Sequence, residues 1–136
     1  MKRWMVMAGV VTALGTTSVF AAAPDVTACY NQAGTQVQYV TCLKEEQAQL
    51  EEKYRDVLDQ VTSQLRTVDR AQKNKKATQA FSDANKAFLA YLKEECELVG
   101  ATRDSEADAG GAEIACRINL MRMRLGALRH QFLLTH

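Results

Sequence analysis

Between residues 35 and 99 apolar side chains recur at every third or fourth position, and neither glycine nor proline interrupts them. Leu43, Gln47, Leu50, Tyr54, Val57, Val61 and Leu65 form one stripe. Ala77, Phe81, Ala84, Phe88 and Tyr91 form another, with Leu92 and Val99 beside them. Such intervals place residues on one face of an α-helix, and the abundant Ala, Leu, Gln, Glu and Lys favour helix throughout. Thr35, just after Gly34, is suited to cap its start. A single rod of this length would extend about 95 Å, with nothing to cover its stripe. Large apolar residues other than Val68 are missing from residues 66–78. The pattern therefore predicts a turn there and two antiparallel helices. Asp69, followed three residues later by Gln72, reads as a capping box for the second.

Gly100 is placed to end that second helix. A polar loop over residues 101–111 follows and closes with Gly110 and Gly111. Ile114, Ile118, Met121, Leu125, Leu128 and Phe132 then define a third helix over residues 112–134, the most regular stripe in the chain. The expected fold is all-α: a three-helix bundle, built as a long antiparallel helical hairpin plus a third helix, with an N-terminal arm over residues 24–34.

The start of the chain has a different character. Lys2 and Arg3 precede an uncharged, mostly apolar run from residue 4 to residue 20, which ends at Ala21, Ala22 and Ala23. This is the layout of a secretory signal peptide, residues 1–21, with cleavage before Ala22. Residues 22–136 then form one domain with a modest core. Loss of Lys2 and Arg3 takes the formal net charge from +1 to −1. Nucleic acid is not an expected partner, since it calls for a strongly basic face. No membrane association is expected once the signal is removed.

Cys29, Cys42, Cys96 and Cys116 all lie in the mature part. An even number in a short exported chain implies two disulfides in an oxidising compartment, periplasmic or extracellular. The cysteine spacings of 13, 54 and 20 contain no C-x-x-C pair, and His130 and His136 lie far along the chain. Neither a metal site nor a cofactor is expected. Four cysteines allow three connectivities. With a turn centred on Asp69, Cys42 and Cys96 are each 27 residues from it. Equal height on neighbouring helices favours a Cys42–Cys96 bridge, leaving Cys29–Cys116 to pin the arm to the third helix.

These elements together resemble the lysozyme inhibitor LprI-type N-terminal domain family of exported bacterial proteins. The family pattern opens with a cysteine, matched by Cys29, then a T-Q-x-E-M-x-x-C element, matched by Thr35, Gln36 and Cys42. An L-x-x-x-Y follows at Leu50 and Tyr54. A W-x-x-Y-R-D-x-x-C element is matched at Tyr91 and Cys96. A glycine-rich loop corresponds to Gly110 and Gly111, and C-x-x-x-L-x-x-x-R-x-x-x-L to Cys116, Leu120, Arg124 and Leu128. Gln38 stands at the usual Glu, Phe88 at the usual Trp, and Leu92-Lys93 at the usual Arg-Asp. The resemblance implies a helical, disulfide-bonded scaffold and inhibition of c-type lysozyme.

The charge pattern bears on that activity. Animal-type lysozyme is cationic with a carboxylate-lined cleft, so a binder should present negative charge. From residue 94 to residue 113 there are seven acids against one base, Arg103. The expected partner-binding residues are Glu94, Glu95, Glu97, Asp104, Glu106 and Asp108, with Glu45 and Glu46 adding to the same end. The opposite end collects Arg66, Arg70, Lys73, Lys75 and Lys76, with Arg129 and His130. No nucleophile–base pair is evident. Glu94 and Glu95, about 100° apart on a helix, would not converge on one substrate. Tyr54 and Tyr91 fall on core stripes. The expectation is an exported, non-catalytic binding protein. Its partner is a protein, with lysozyme implied by the resemblance. The alternative is an envelope adaptor with an unrelated protein partner. Oligomeric state is not legible in the sequence.

Overall fold

The computed structural model describes residues 26–133, so the expected signal peptide (residues 1–21) lies outside the described residues, as do Leu134 and His136. The described chain contains no strand. It forms α1 (Val26–Gln32), α2 (Gln36–Gln72), α3 (Lys76–Ala101) and α4 (Glu106–Leu128), and a π-helical turn, Arg129–Leu133, extends α4. The helix count is four, one more than expected, because the arm is itself helical. Seven residues are too few to hold a helix in isolation. Here α1 is fixed by Cys29, fully buried and bonded to Cys42 of α2.

The start of α2 explains one departure from the family pattern. Thr35 Oγ1 accepts from the Gln38 backbone N–H at 3.2 Å, while Gln38 Oε1 accepts from the Gly34 N–H at 2.9 Å. Gln38 thus reaches back to the residue before the cap, a close relative of the capping-box arrangement made without a charge. From there Leu43, Leu50, Tyr54, Val57 and Val61 are buried as the stripe predicts. Two acids of α2 are also buried, Glu46 and Asp69, at 2 % and 5 % exposure.

The turn falls inside the expected interval, residues 66–78, but after Asp69 rather than centred on it. The chain reverses over residues 73–75, and Asp69 sits in the last turn of α2. Its carboxylate accepts from the backbone N–H groups of Ala77 and Thr78, at 2.9 and 3.0 Å, and from the Thr78 hydroxyl. It therefore caps α3 from across the turn, rather than beginning a helix of its own, and satisfies orphan donors of α3's first turn. Lys73 closes α2 in the left-handed region, φ 55° and ψ 39°. That conformation crowds any side chain bearing a Cβ and costs about 1 kcal/mol relative to glycine.

α3 returns along α2, with Tyr54 O–H donating to Asn85 Oδ1 at 2.7 Å and the Tyr54 and Phe88 rings 6.1 Å apart. The inward face of α3 carries Phe81, Asn85, Phe88, Leu92 and Cys96. This corrects the expected stripe: Ala84 is exposed, and Tyr91 is 52 % exposed rather than a core residue. The polar Asn85 takes the inward place because the buried Tyr54 hydroxyl needs a partner. Burial holds that hydroxyl above its usual pKa, partly offset by Arg124, whose guanidinium lies 5.6 Å from the Phe88 ring centroid.

α4 packs Ile118, Met121, Leu125 and Leu128 into the core, as its stripe predicts. It begins earlier than expected. Ser105 caps it, accepting from the Asp108 N–H at 3.2 Å, so residues 106–111 are helix and not loop. Gly110 and Gly111 lie within α4. Gly111 is buried where α4 meets α2, and a Cβ there would fall 3.3 Å from Gln36 Nε2 and 3.4 Å from Tyr39 Cε1.

The disulfide pairing differs from the expectation. The bridges are Cys29–Cys42 and Cys96–Cys116, with Cα–Cα distances of 5.6 and 5.5 Å; neither Cys42–Cys96 nor Cys29–Cys116 forms. All four cysteines do come to one end, although with the turn at residues 73–75 Cys42 and Cys96 are not equally far from it along the chain. Connectivity is decided by facing: α1 folds back on α2 beside Cys42, and the turn over residues 102–105 sets Cys96 against α4. Each bridge closes a short segment, 13 and 20 residues apart in sequence.

Candidate functional site

The two bridges meet at the end of the molecule where α2 and α4 begin and α3 ends. Gln36 Nε2 donates to the Ala107 carbonyl at 3.2 Å, linking the starts of α2 and α4. Between the α1–α2 corner and the α3–α4 turn lies a groove of about 990 Å³. Tyr30, Tyr39, Arg103, Asp104, Asp108 and Cys116 are among its lining residues. Tyr30 is 72 % exposed and meets Tyr39 edge to face, ring centroids 6.0 Å apart. Burial raises the Tyr39 pKa, Arg103 opposes the shift, and Tyr30 adds to it.

A second recess of about 430 Å³ lies at the α3–α4 turn, lined in part by Glu97, Asp104, Glu106 and Glu113, with Arg103 the one base among them. Its floor depends on Gly100, inside the last turn of α3, where a Cβ would come within 2.6 Å of Glu113 Oε1. Close approach of α3 to α4 explains this glycine; it does not terminate the helix in a left-handed cap.

The six expected binding acids divide accordingly. Asp104 and Asp108 line the groove, and Asp104, Glu97 and Glu106 line the recess. Glu94 and Glu95 line neither. Lys93 contacts Glu97 at 3.2 Å and Glu94 at 3.3 Å, and Glu97 and then Glu94 raise the lysine's pKa. Asp108 Oδ2 accepts from the Ser105 hydroxyl at 2.7 Å. Glu46 does not belong to the acidic surface at all: it is buried and paired with Arg122 of α4.

Sequence reasoning does not single out Tyr30 or Tyr39, and it counts Glu113 among the acids of this end without making it a binding residue. The tyrosines become neighbours only because α1 folds back on α2, and no periodicity announces a seven-residue helix. For Asp104, Glu106 and Asp108 a signal is present in Ser105-x-x-Asp108, a helix start that the following glycine pair obscures.

The lysozyme inhibitor LprI family model matches residues 27–128. The chain belongs to this family. No curated protein and no solved structure matches it. Within the LprI-type pattern, the matched positions are mostly scaffold. The cysteines make both bridges, Thr35 caps α2, Leu50, Tyr54 and Leu128 fill the core, and Arg124 stacks on Phe88. Phe88, in place of the usual Trp, still supplies an aromatic face for Tyr54 and Arg124. The acids of the groove and recess fall outside the pattern.

Proposed function

We propose that this protein is an exported, non-catalytic inhibitor of c-type lysozyme, acting by protein–protein contact through its acidic, disulfide-bonded end. Family membership supports the activity. The observation that supports the surface is the placing of Asp104 between groove and recess, with Asp108 on one side and Glu97 and Glu106 on the other. An acidic concave end steers a cationic enzyme toward it and favours correct orientation on contact. Two bridges and the Gln36–Ala107 bond hold that end together before contact, which reduces the ordering cost of binding. Tyr30, large and exposed beside the acids, is the kind of side chain that anchors protein interfaces.

Export fits the same reading. Two disulfides suit the periplasm or the exterior, and residues 1–21 supply the signal, leaving residues 22–136 as the mature domain. The test is a lysozyme activity assay with the processed, oxidised protein beside a reduced control. Inhibition that disappears on reduction supports the proposal. Absence of inhibition at micromolar concentrations ends it.

A further inference from the structure

The pole opposite the acidic end is basic, and the lysozyme-binding surface does not include it. Residues 60–82 contain five cations, Arg66, Arg70, Lys73, Lys75 and Lys76, and a single acid, Asp69. That acid is buried and committed to the N-terminus of α3. None of the five cations is in an ion pair among the described residues. The nearest acids along the chain are Asp59 and Asp83, and Asp83 already faces Lys86 and Gln79. Four of the five cations line a groove of about 750 Å³ at the α2–α3 turn, where Asn74, Thr78 and Ser82 add polar groups and Asp69, held by the α3 N-terminus, is the one acid.

Lys73 supplies a second observation. It holds a left-handed conformation at the tip of the turn, where glycine would sit without crowding. A strained residue kept at a tip points to a use for its side chain. Distance supplies a third. α2 has 37 residues and is about 55 Å long, against a Debye length of about 8 Å at physiological salt. The acidic pole therefore cannot neutralise the basic one, and each acts alone on what it meets.

We infer that the basic pole is a peripheral docking surface for an anionic phospholipid bilayer. The phosphates of such a surface would be met by the cations gathered at this turn, four of them around one groove, with the groove's polar groups beside them. A second copy of the chain fits less well, because Glu94, Glu97 and Asp108 of its acidic pole already have partners in Lys93 and Ser105. The contact is superficial: among the described residues, no helix is long and apolar enough to cross a membrane. This departs from the sequence-based expectation of no membrane association after signal removal, and it stands independently of lysozyme inhibition. A molecule docked this way would direct its acidic end away from the lipid.

The test is co-sedimentation of the processed, oxidised protein with phosphatidylcholine vesicles, with and without phosphatidylglycerol. Binding should require phosphatidylglycerol and weaken as salt is raised. Each Lys or Arg near such a surface contributes roughly fivefold in partitioning. Lys73→Gly, which also relieves the backbone, should weaken binding by about that factor without loss of thermal stability. The triple reversal Lys73→Glu/Lys75→Glu/Lys76→Glu should abolish it, while Lys→Arg changes at the three sites retain it. Equal binding to vesicles lacking phosphatidylglycerol overturns the inference, as does indifference to salt or to these changes. Salt-sensitive self-association through the same lysines without vesicles would assign the pole to a second copy instead.

Discussion

Glu46 of α2 and Arg122 of α4 form an ion pair whose carboxylate is almost sealed from solvent, at 2 % exposure, while the guanidinium side chain remains 29 % exposed. The pair joins two helices whose buried facing residues are otherwise mainly apolar. It also removes from the surface an acid that the charge pattern assigns to the binding end. Truncating one partner of such a pair leaves the other uncompensated. Arg122→Ala should lower unfolding free energy by about 3 kcal/mol, the low end of the usual range because the arginine is partly solvated. The double change Glu46→Leu/Arg122→Leu should recover most of that loss. Chemical denaturation of the single and double variants measures both; additive losses would contradict a paired role.

Asp69 predicts a pH dependence. Its hydrogen bond from the Thr78 hydroxyl, helped by the Thr78 and Ala77 N–H groups, lowers the carboxyl pKa despite its burial. A carboxyl with a depressed folded pKa stabilises the fold at pH values above its unfolded pKa, and that contribution is lost as pH falls through the folded value. Wild-type stability should therefore decline through the acidic range below about pH 4, and Asp69→Asn should show a shallower decline there. Denaturation midpoints across pH test it; parallel curves for the two proteins would show that Asp69 is not the source.

The helical glycines separate cleanly. Gly110 and Gly126 have no neighbour within 4 Å of where an added Cβ would lie, whereas Gly111 faces Gln36, Tyr39 and Val40. Gly110→Ala and Gly126→Ala should each stabilise by about 0.5–1 kcal/mol through helix propensity. Gly111→Leu should destabilise, because α4 must then move off α2. A thermal melt of each variant decides the matter.

The two bridges should behave differently when removed singly. Closing segments of this size contributes about 3 kcal/mol each in the chain-entropy view. Cys96→Ser/Cys116→Ser loosens α3 from α4 and should lower global stability by about that amount. Cys29→Ser/Cys42→Ser should mainly free α1, seen as faster amide exchange over residues 26–32 with the long helices still protected. Non-reducing peptide mapping should return Cys29–Cys42 and Cys96–Cys116 peptides.

Much of this fold is legible in the sequence wherever burial alone decides. Leu43, Leu50, Val57 and Val61, and the α4 series from Ile118 to Leu128, read correctly because one apolar face meets one core. The reading fails where a polar group belongs to the core. Asn85 lies inside because Tyr54 needs a partner, which displaces the expected stripe and leaves Tyr91 outside. Asp69 caps a helix other than its own. The disulfides fail for a related reason: counting residues from a turn placed at Asp69, when the chain reverses at residues 73–75, does not tell which way each cysteine faces. For the acidic end, net charge is readable and its distribution is not, since Glu46 is buried and Glu94 lines neither concavity.

Lysozyme inhibition by the processed, oxidised protein, measured beside an Asp104→Lys/Glu106→Lys/Asp108→Lys variant and titrated at low and physiological salt, tests the acidic surface itself. The native protein should inhibit, less strongly as salt rises, and the variant should not inhibit while keeping its helical content. Equal inhibition by the two proteins would contradict binding through this end.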